Sequence, residues 1–235
     1  ALKHKLTSME RIEQDGEFKG WRCDGKGDRF PISAKIVIDA SGVSAACSRF
    51  IKPDGSNPLN DKGKVVAGMQ YELTNVPTDG YLDFYIWPKY AEKGYLWMIP
   101  KCDGRANVGL VTEDRPRAKK ALDEFIEDTH FKGLEQKLPS WKEKGNPAFG
   151  GTIPISGPFE NTHYDGLMLV GDAAVFTSPL FEGGSHLALK SAVFAAQTAA
   201  MAISQSDLSS EMMSAYTRSW KAEFPPYHKI LKGKN

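Results

Sequence analysis

The stretch Leu167–Gln197, LMLVGDAAVFTSPLFEGGSHLALKSAVFAAQ, decides the fold. It begins with the apolar run Leu167–Val170, which is typical of a short buried strand and ends at a glycine. A loop with one proline and a pair of adjacent glycines follows, and the small and apolar residues over 185–203 then predict a long helix. A strand, a glycine-rich loop and a helix in this order bring the backbone close to a bound cofactor in an α/β fold.

The loop residues have properties that suit them to hold a cofactor. A glycine at the end of the strand permits close approach, and the carboxylate after it can accept a hydrogen bond from a sugar or ribityl hydroxyl. The glycine pair exposes backbone N–H groups at the positive end of the helix, which favours an anion such as the N1–O2 edge of a reduced flavin. The candidate cofactor-binding residues of this loop are Gly171, Asp172, Ala173, Pro179, Gly183 and Gly184.

A second strand-to-turn segment lies near the start of the chain. Ile36–Ile38 is a continuous apolar triplet that runs into Asp39-Ala40-Ser41-Gly42. A buried strand that ends in a glycine-bearing turn suits the edge of a parallel sheet where a cofactor approaches. Ser41 and Gly42 therefore join the candidate cofactor-binding residues.

The remaining sequence predicts one sheet that is interrupted by a second domain. Residues 1–38 have the alternation and turn signals of a β-meander, and 65–113 contain four more predicted strands before an amphipathic helix over 115–128. Asp114 is the expected cap of that helix. We predict an α/β fold with an α+β insert: a discontinuous cofactor domain (1–50 and 160–205), a mostly antiparallel substrate-binding sheet domain (51–159), and a C-terminal helix and tail (206–235).

Composition excludes several classes of function. With 30 basic and 29 acidic residues the chain has a net charge of +1, so no basic face favours nucleic acid. The three cysteines are far apart and the five histidines lack metal-ligand spacing, so we expect reduced thiols, a cytoplasmic protein and no metal. No apolar run approaches the roughly 20 residues of a membrane-spanning helix, although peripheral membrane contact stays open.

The stretch 167–197 resembles the second FAD fingerprint of the p-hydroxybenzoate-hydroxylase-like flavoprotein superfamily, and within it most resembles the geranylgeranyl reductases. The segment GYLWMIPKCDGRANVGLV, residues 94–111, adds to that resemblance. The family has a Tyr-x-Trp-x-Phe-Pro segment that lines a prenyl-chain cavity, followed by Gly-x-Gly. Tyr95, Trp97, Pro100 and Gly109 match it and are the implied substrate-binding residues, whereas Ile99 replaces the Phe and Val111 the second Gly.

The resemblance implies an FAD-dependent oxidoreductase that reduces isoprenoid double bonds of prenyl lipids, with a hydride from the flavin and a proton to the other alkene carbon. NAD(P)H or ferredoxin would supply the electrons, and no side chain is identified as the proton donor, so the catalytic residues are unknown. The N-terminal GxGxxG unit of the superfamily is not found in this sequence, so we expect weak FAD binding or none by this chain alone. Two alternatives stay open: another flavin enzyme (a monooxygenase, halogenase or quinone-linked dehydrogenase) and a non-catalytic fragment.

Overall fold

The computed structural model describes residues 4–51, 65–140, 142–178, 180–224 and 226. The chain divides into two compact units, of which unit 1 comprises residues 1–64 and 154–235 and unit 2 comprises residues 65–153. The sequence predicts the insert over 51–159, and unit 2 spans 65–153. Which unit binds a cofactor and which a substrate stays a prediction.

Unit 1 contains two three-stranded sheets. The first is an antiparallel meander of β1, β2 and β3, and the second has the order β11-β12-β4, with β12 antiparallel to β11 and parallel to β4. The parallel pair places the carboxyl ends of β4 and β12 at the same edge of the sheet. The strands are β1 (Lys5–Gln14), β2 (Glu17–Lys26), β3 (Ile32–Ala34), β4 (Val37–Asp39), β11 (His163–Tyr164) and β12 (Leu167–Leu169).

Two long helices cover the second sheet of unit 1. They are α3 (Ser185–Gln205) and α4 (Ser210–Glu223); a short helix, α1 (Ser48–Ile51), follows β4. The helix α4 begins at a cap, because the Ser209 hydroxyl accepts a hydrogen bond from the Met212 N–H at 3.2 Å. The fully buried Tyr216 joins α4 to the sheet by donating to the Leu169 carbonyl at 2.6 Å.

The helix α3 has one packed face and one exposed apolar face. Its packed face contains Leu187, Ser191, Ala195, Thr198 and Ala202. The outer face is apolar as well, with large exposed side chains at Leu189, Val193, Met201 and Ile203. By length and composition alone, α3 would suffice to cross a membrane, and it is the one such helix among the described residues.

Unit 2 is an antiparallel sheet with one helix on its inner face. The strand order is β10-β5-β8-β7-β6, and β9 pairs with β5. The inner face packs against α2 through a core that includes Tyr71, Leu96, Val108, Leu122 and Phe125. The elements are β5 (Val65–Leu73), β6 (Asp83–Tyr85), β7 (Tyr95–Pro100), β8 (Ala106–Thr112), α2 (Ala118–Glu127), β9 (Gln136–Lys137) and β10 (Phe149–Pro154).

The structure corrects two details of the sequence prediction. The helix expected over 115–128 is a 3-10 turn, Arg115–Arg117, followed by α2, and the Asp114 side chain makes no cap hydrogen bond. The expected meander over 1–38 ends at β3, because β4 pairs with β12 in the other sheet of unit 1. The second difference comes from a pairing distant in sequence, which local patterns do not record.

Candidate functional site

The loop after β12 begins at a glycine that no other residue could replace without strain. Gly171 has φ +56°, and a Cβ added to it would lie 3.1 Å from the Ala188 Cβ on α3. Its N–H donates to the Ser191 hydroxyl at 3.1 Å, which ties the loop to the helix. The loop continues as a 3-10 turn, Gly171–Ala174, in which Ala173 is fully buried.

Asp172 carries the one carboxylate of this loop that is placed to meet a ligand. Its side chain is half-buried, and its carboxylate makes no hydrogen bond or ion pair with a described residue. Burial raises the pKa of Asp172 above its ordinary value, because no neighbouring charge or donor offsets the loss of water. An unpaired, partly desolvated acceptor of this kind gains from a hydroxyl or N–H donor supplied by a ligand.

Asp39, at the end of β4, shows the opposite arrangement. It is 2% exposed, and its carboxylate accepts the N–H groups of Ser41 and Cys47, both at 2.9 Å. Its carbonyl oxygen accepts the Val170 N–H at 3.0 Å, which brings the turn after β4 beside the loop after β12. Asp39 therefore supports the turn and is not available to a ligand.

The turn after β4 has one residue that a ligand could approach and one hydroxyl that is already hydrogen-bonded within the turn. Gly42 has φ +66° and no atom within 4 Å of where a Cβ would stand, so a ligand could approach it. The Ser41 hydroxyl already accepts the Ala46 N–H at 2.7 Å and so holds the turn together. Of the two residues predicted here, the structure leaves Gly42 open and gives Ser41 a structural partner.

The glycine pair before α3 lies next to Asp172. A Cβ at Gly184 would stand 3.1 Å from the Asp172 Oδ1, whereas one at Gly183 would meet only the Phe181 carbonyl oxygen, at 4.0 Å. Gly184 is the cap position of α3 and supplies no side-chain acceptor, so the first N–H groups of this 21-residue helix are without a cap. The structure thus joins the carboxylate and the helix start, as the sequence predicted. Pro179 lies outside the described residues.

The outer face of the unit 2 sheet, opposite α2, carries the aromatic residues predicted to line a prenyl cavity. Tyr95 and Trp97 lie on this face with ring centroids 6.0 Å apart, and Phe84 of β6 packs edge-on against Tyr95 at 5.3 Å. Gly109 of β8 is directly opposite Trp97. Pro100 lies elsewhere: strand alternation puts it on the inner face with Leu96 and Met98, so the structure does not bring it together with the aromatic pair.

Gln70 is a residue of this face that the sequence did not indicate. It lies opposite Gly109 on β5, and the Trp97 Nε1 donates to its Oε1 at 3.2 Å. The indole thus reaches across β8, where Gly109 leaves room: a Cβ there would stand 2.5 Å from the Trp97 Cζ2. Only the strand register shows this contact, since residues 70, 97 and 109 are far apart in the chain.

Burial disfavours the thiolate form of two of the three cysteines. Burial, with Asp39 as a secondary cause, raises the pKa of the Cys47 thiol far above its ordinary value, and burial also raises that of Cys23. Cys102 is exposed and unpaired to either of them. Among the described residues, no group of His, Cys, Asp and Glu could hold a metal ion.

Comparison with known proteins gives consistent matches. Residues 64–139 match the family model of the geranylgeranyl reductase catalytic domain. The chain is 34% identical over 225 residues to the digeranylgeranylglycerophospholipid reductase of Methanocaldococcus jannaschii, a match that covers 94% of this chain and 55% of that protein. A crystal structure of a geranylgeranyl bacteriochlorophyll reductase-like protein from Thermoplasma acidophilum superposes with a TM-score of 0.80 at 28% identity, over 98% of this chain and 57% of that one.

The chain is therefore similar to proteins of the geranylgeranyl reductase family. It spans about half the length of the curated relatives it matches. The family match includes the whole of β5 to β8, and therefore the outer face with Trp97 and Gly109.

Flavoproteins outside the geranylgeranyl reductase family share the fold. A flavin-dependent brominase superposes with a TM-score of 0.65 at 19% identity, over 92% of this chain and 54% of the brominase. At that identity the likeness concerns the fold alone. The structure and its likeness to the Thermoplasma acidophilum protein confirm the predicted mixed α/β fold.

Proposed function

We propose that this chain is the part of an FAD-dependent oxidoreductase that binds a prenyl lipid and faces the flavin, and that the enzyme reduces isoprenoid double bonds. The named relative is a digeranylgeranylglycerophospholipid reductase. The observation that carries the proposal is the apolar outer face of unit 2, where Phe84, Tyr95 and Trp97 form a continuous aromatic surface.

An isoprenoid chain offers almost no hydrogen-bonding groups, so it binds by burying methylene and methyl groups against apolar surface. Each buried CH₂ contributes about 0.8 kcal/mol. Phe84 is 54% exposed and Ile99 is 37% exposed, so the face has apolar area to cover. Because Gly109 has no side chain, the Trp97 indole extends across β8 toward Gln70 and adds to this surface.

The residues of unit 1 fit FAD as the cofactor. Asp172 would accept a ribityl hydroxyl, the start of α3 at Gly183-Gly184 would face the anionic edge of the ring, and Gly171 and Gly42 would permit close approach. When bound, FAD supplies the hydride for the reduction. The protein contributes orientation and exclusion of water, and we name no proton donor, because no described side chain of either face is placed for that role by a contact in the structure.

Other flavin enzymes share this fold. The outer face does not support that alternative, since aromatic substrates and electron acceptors do not require an extended apolar surface. The electron donor is NAD(P)H or ferredoxin. Because a prenyl lipid resides in a membrane, we propose a cytoplasmic protein in peripheral contact with the bilayer.

The decisive experiment uses the gene product at its natural length. Under anaerobic conditions, with dithionite as reductant, the enzyme is expected to add two hydrogens to a geranylgeranyl lipid for each double bond, read as a mass increase. Asp172→Ala should abolish flavin retention, and Trp97→Ala should weaken substrate binding while flavin is retained. A flavin-loaded enzyme that leaves the prenyl lipid unchanged, yet consumes oxygen with an aromatic substrate, would contradict the proposal.

The cofactor part of the proposal is tested on this chain alone. We expect a purified sample to lack stoichiometric flavin absorbance, because unit 1 offers contacts to the ribityl and ring portions only. A titration with FAD, followed by flavin fluorescence, should show weak binding that Asp172→Ala removes. Tight binding with one FAD per chain would disprove the expectation.

A further inference from the structure

The outer face of unit 2 changes from apolar to polar along its strands. Three successive register rows run across β7, β8 and β5. The first row has Tyr95 opposite Val111, the second has the bridge between Trp97 and Gln70, and the third leads to the charged end of the face. The rows are Tyr95/Val111/Gly68, Trp97/Gly109/Gln70 and Ile99/Asn107/Glu72.

The charged end consists of ion pairs that satisfy one another. The Glu72 carboxylate accepts from the Lys101 Nζ at 2.5 Å and from the Arg105 guanidinium at 2.9 Å. Both cations hold the pKa of Glu72 below its ordinary value, although burial opposes them. Since these charges are already paired, the two carboxamides of the second and third rows, rather than the ions, are the candidate partners of a ligand.

The carboxamide of Gln70 has a fixed orientation. An indole N–H can only donate, so the amide oxygen must face Trp97, and the amide nitrogen on the same carbon points away from the indole. Its two N–H groups have no acceptor among the described residues. When an apolar chain covers the face and expels water, this donor needs an acceptor from the ligand, because burying an amide without one is unfavourable.

A second carboxamide lies one row further on. The Asn107 Oδ1 is buried and has no donor in the described part of the chain. Diagonal neighbours on adjacent strands are within reach of the same small group. The second and third rows therefore contain a free donor and an unsatisfied acceptor, whereas the first row combines the aromatic ring and hydroxyl of Tyr95 with aliphatic surface.

We propose that Gln70 is the polar anchor of this site: its Nε2 donates a hydrogen bond to an oxygen at the head end of the prenyl ligand. The chain of the ligand then extends over Trp97 and Tyr95 toward Phe84. This inference rests on the proposed function and adds a direction and a specificity to it. The site selects isoprenoids that carry an ether, ester or alcohol oxygen over hydrocarbons of the same skeleton.

The test compares three C20 probes with the same isoprenoid skeleton: geranylgeranyl methyl ether, geranylgeraniol and the hydrocarbon without oxygen. Their dissociation constants for the purified chain are measured by quenching of tryptophan fluorescence with cyclodextrin as carrier. We expect the two oxygenated probes to bind about 3- to 10-fold more tightly than the hydrocarbon, which is the range of one neutral hydrogen bond.

Gln70→Glu separates the two functions of the amide. It retains an oxygen for Trp97 but replaces the N–H donor by a second acceptor. The ether should lose its advantage over the hydrocarbon, while the alcohol, which can donate to a carboxylate, should retain it. Gln136→Glu is the matched control, because Gln136 is exposed in β9 of the same unit and makes the same change of charge. It should alter none of the three constants.

The outcomes distinguish the anchor from the proposed function. If the three probes bind equally to the wild type, the anchor is disproved and the apolar face is supported. If no probe binds, both are disproved. If circular dichroism shows that the Gln70→Glu variant is unfolded, the three probes are compared on Gln70→Met, a neutral variant of similar length. If this variant still prefers the ether to the hydrocarbon as strongly as the wild type does, the anchor is also disproved.

Discussion

Gly109→Ala is the single substitution that tests the packing of the outer face most directly. The added Cβ would stand 2.5 Å from the Trp97 Cζ2, 2.6 Å from the Gln70 Cβ and 2.6 Å from the Met69 carbonyl oxygen. These separations are about 0.8 Å shorter than the 3.4 Å at which ordinary contact begins. The indole can move only by breaking its hydrogen bond to Gln70, and the carbonyl oxygen belongs to the backbone of β5.

We expect the variant to lose about 2 kcal/mol of unfolding free energy, within the range of about 1–3 kcal/mol for overpacked sites. With a urea m value near 2 kcal/mol/M, the midpoint of unfolding should fall by about 1 M. The measurement is urea unfolding followed by circular dichroism. Displacement of Trp97 should also raise the dissociation constant for geranylgeraniol.

Gly151→Ala is the matched control for this prediction. Gly151 lies in β10 of the same sheet, and nothing stands within 4 Å of where its Cβ would be. The free energy of unfolding should change by less than about 0.5 kcal/mol. If the Gly109 and Gly151 variants unfold at the same urea concentration, the close packing of Trp97 over Gly109 is wrong.

Three further predictions concern unit 1. Burial raises the pKa of Asp172, so the contribution of its carboxyl group to stability falls as the pH rises through the pKa of the folded state. Asp172→Asn should therefore raise the thermal midpoint at pH 7. A lowered midpoint would contradict this. Burial is the main cause that lowers the pKa of His163, and Lys221 adds to it. The neutral imidazole therefore contributes its full stability to the fold above pH 6.5, and this contribution is lost as the pH falls below that value. His163→Gln should flatten that part of the profile of midpoint against pH, and an equally steep loss in the variant would exclude His163 as the cause. Tyr216→Phe leaves the Leu169 carbonyl without its donor and should cost about 1–2 kcal/mol in urea unfolding, whereas Tyr81→Phe, at an exposed side chain, should cost nothing measurable.

Local signals in the sequence predicted the elements around the loop after β12, because each depends on neighbours in the chain. The strand predicted over Leu167–Val170 is present as Leu167–Leu169, and the long helix predicted over 185–203 is present as Ser185–Gln205. Each element has a strong signal of its own: an apolar run, a turn residue or a change of period.

Features that depend on register or on helix rotation were missed. Gln70 joins Trp97 only through the pairing of three strands. Pro100 was grouped with Trp97 by motif, although its spacing from Trp97 is odd and so places it on the other face. The inward side of α3 could not be predicted from its small residues: Ala195 is buried whereas Ala192 and Ala196 are exposed, because a helix that is apolar all round gives no signal of which side is inward.

The outer face of α3 has a consequence for handling the protein in solution. Leu189 and Val193 are more than half exposed, and β4, at the edge of its sheet, presents the 41% exposed Ile38 beside backbone groups that no described strand pairs with. Exposed apolar side chains and an open strand edge each promote self-association as the protein is concentrated. Self-association thus limits the protein concentration at which the assays above can be run. They require dilute samples, moderate salt and a check of monodispersity by light scattering before any ligand is added.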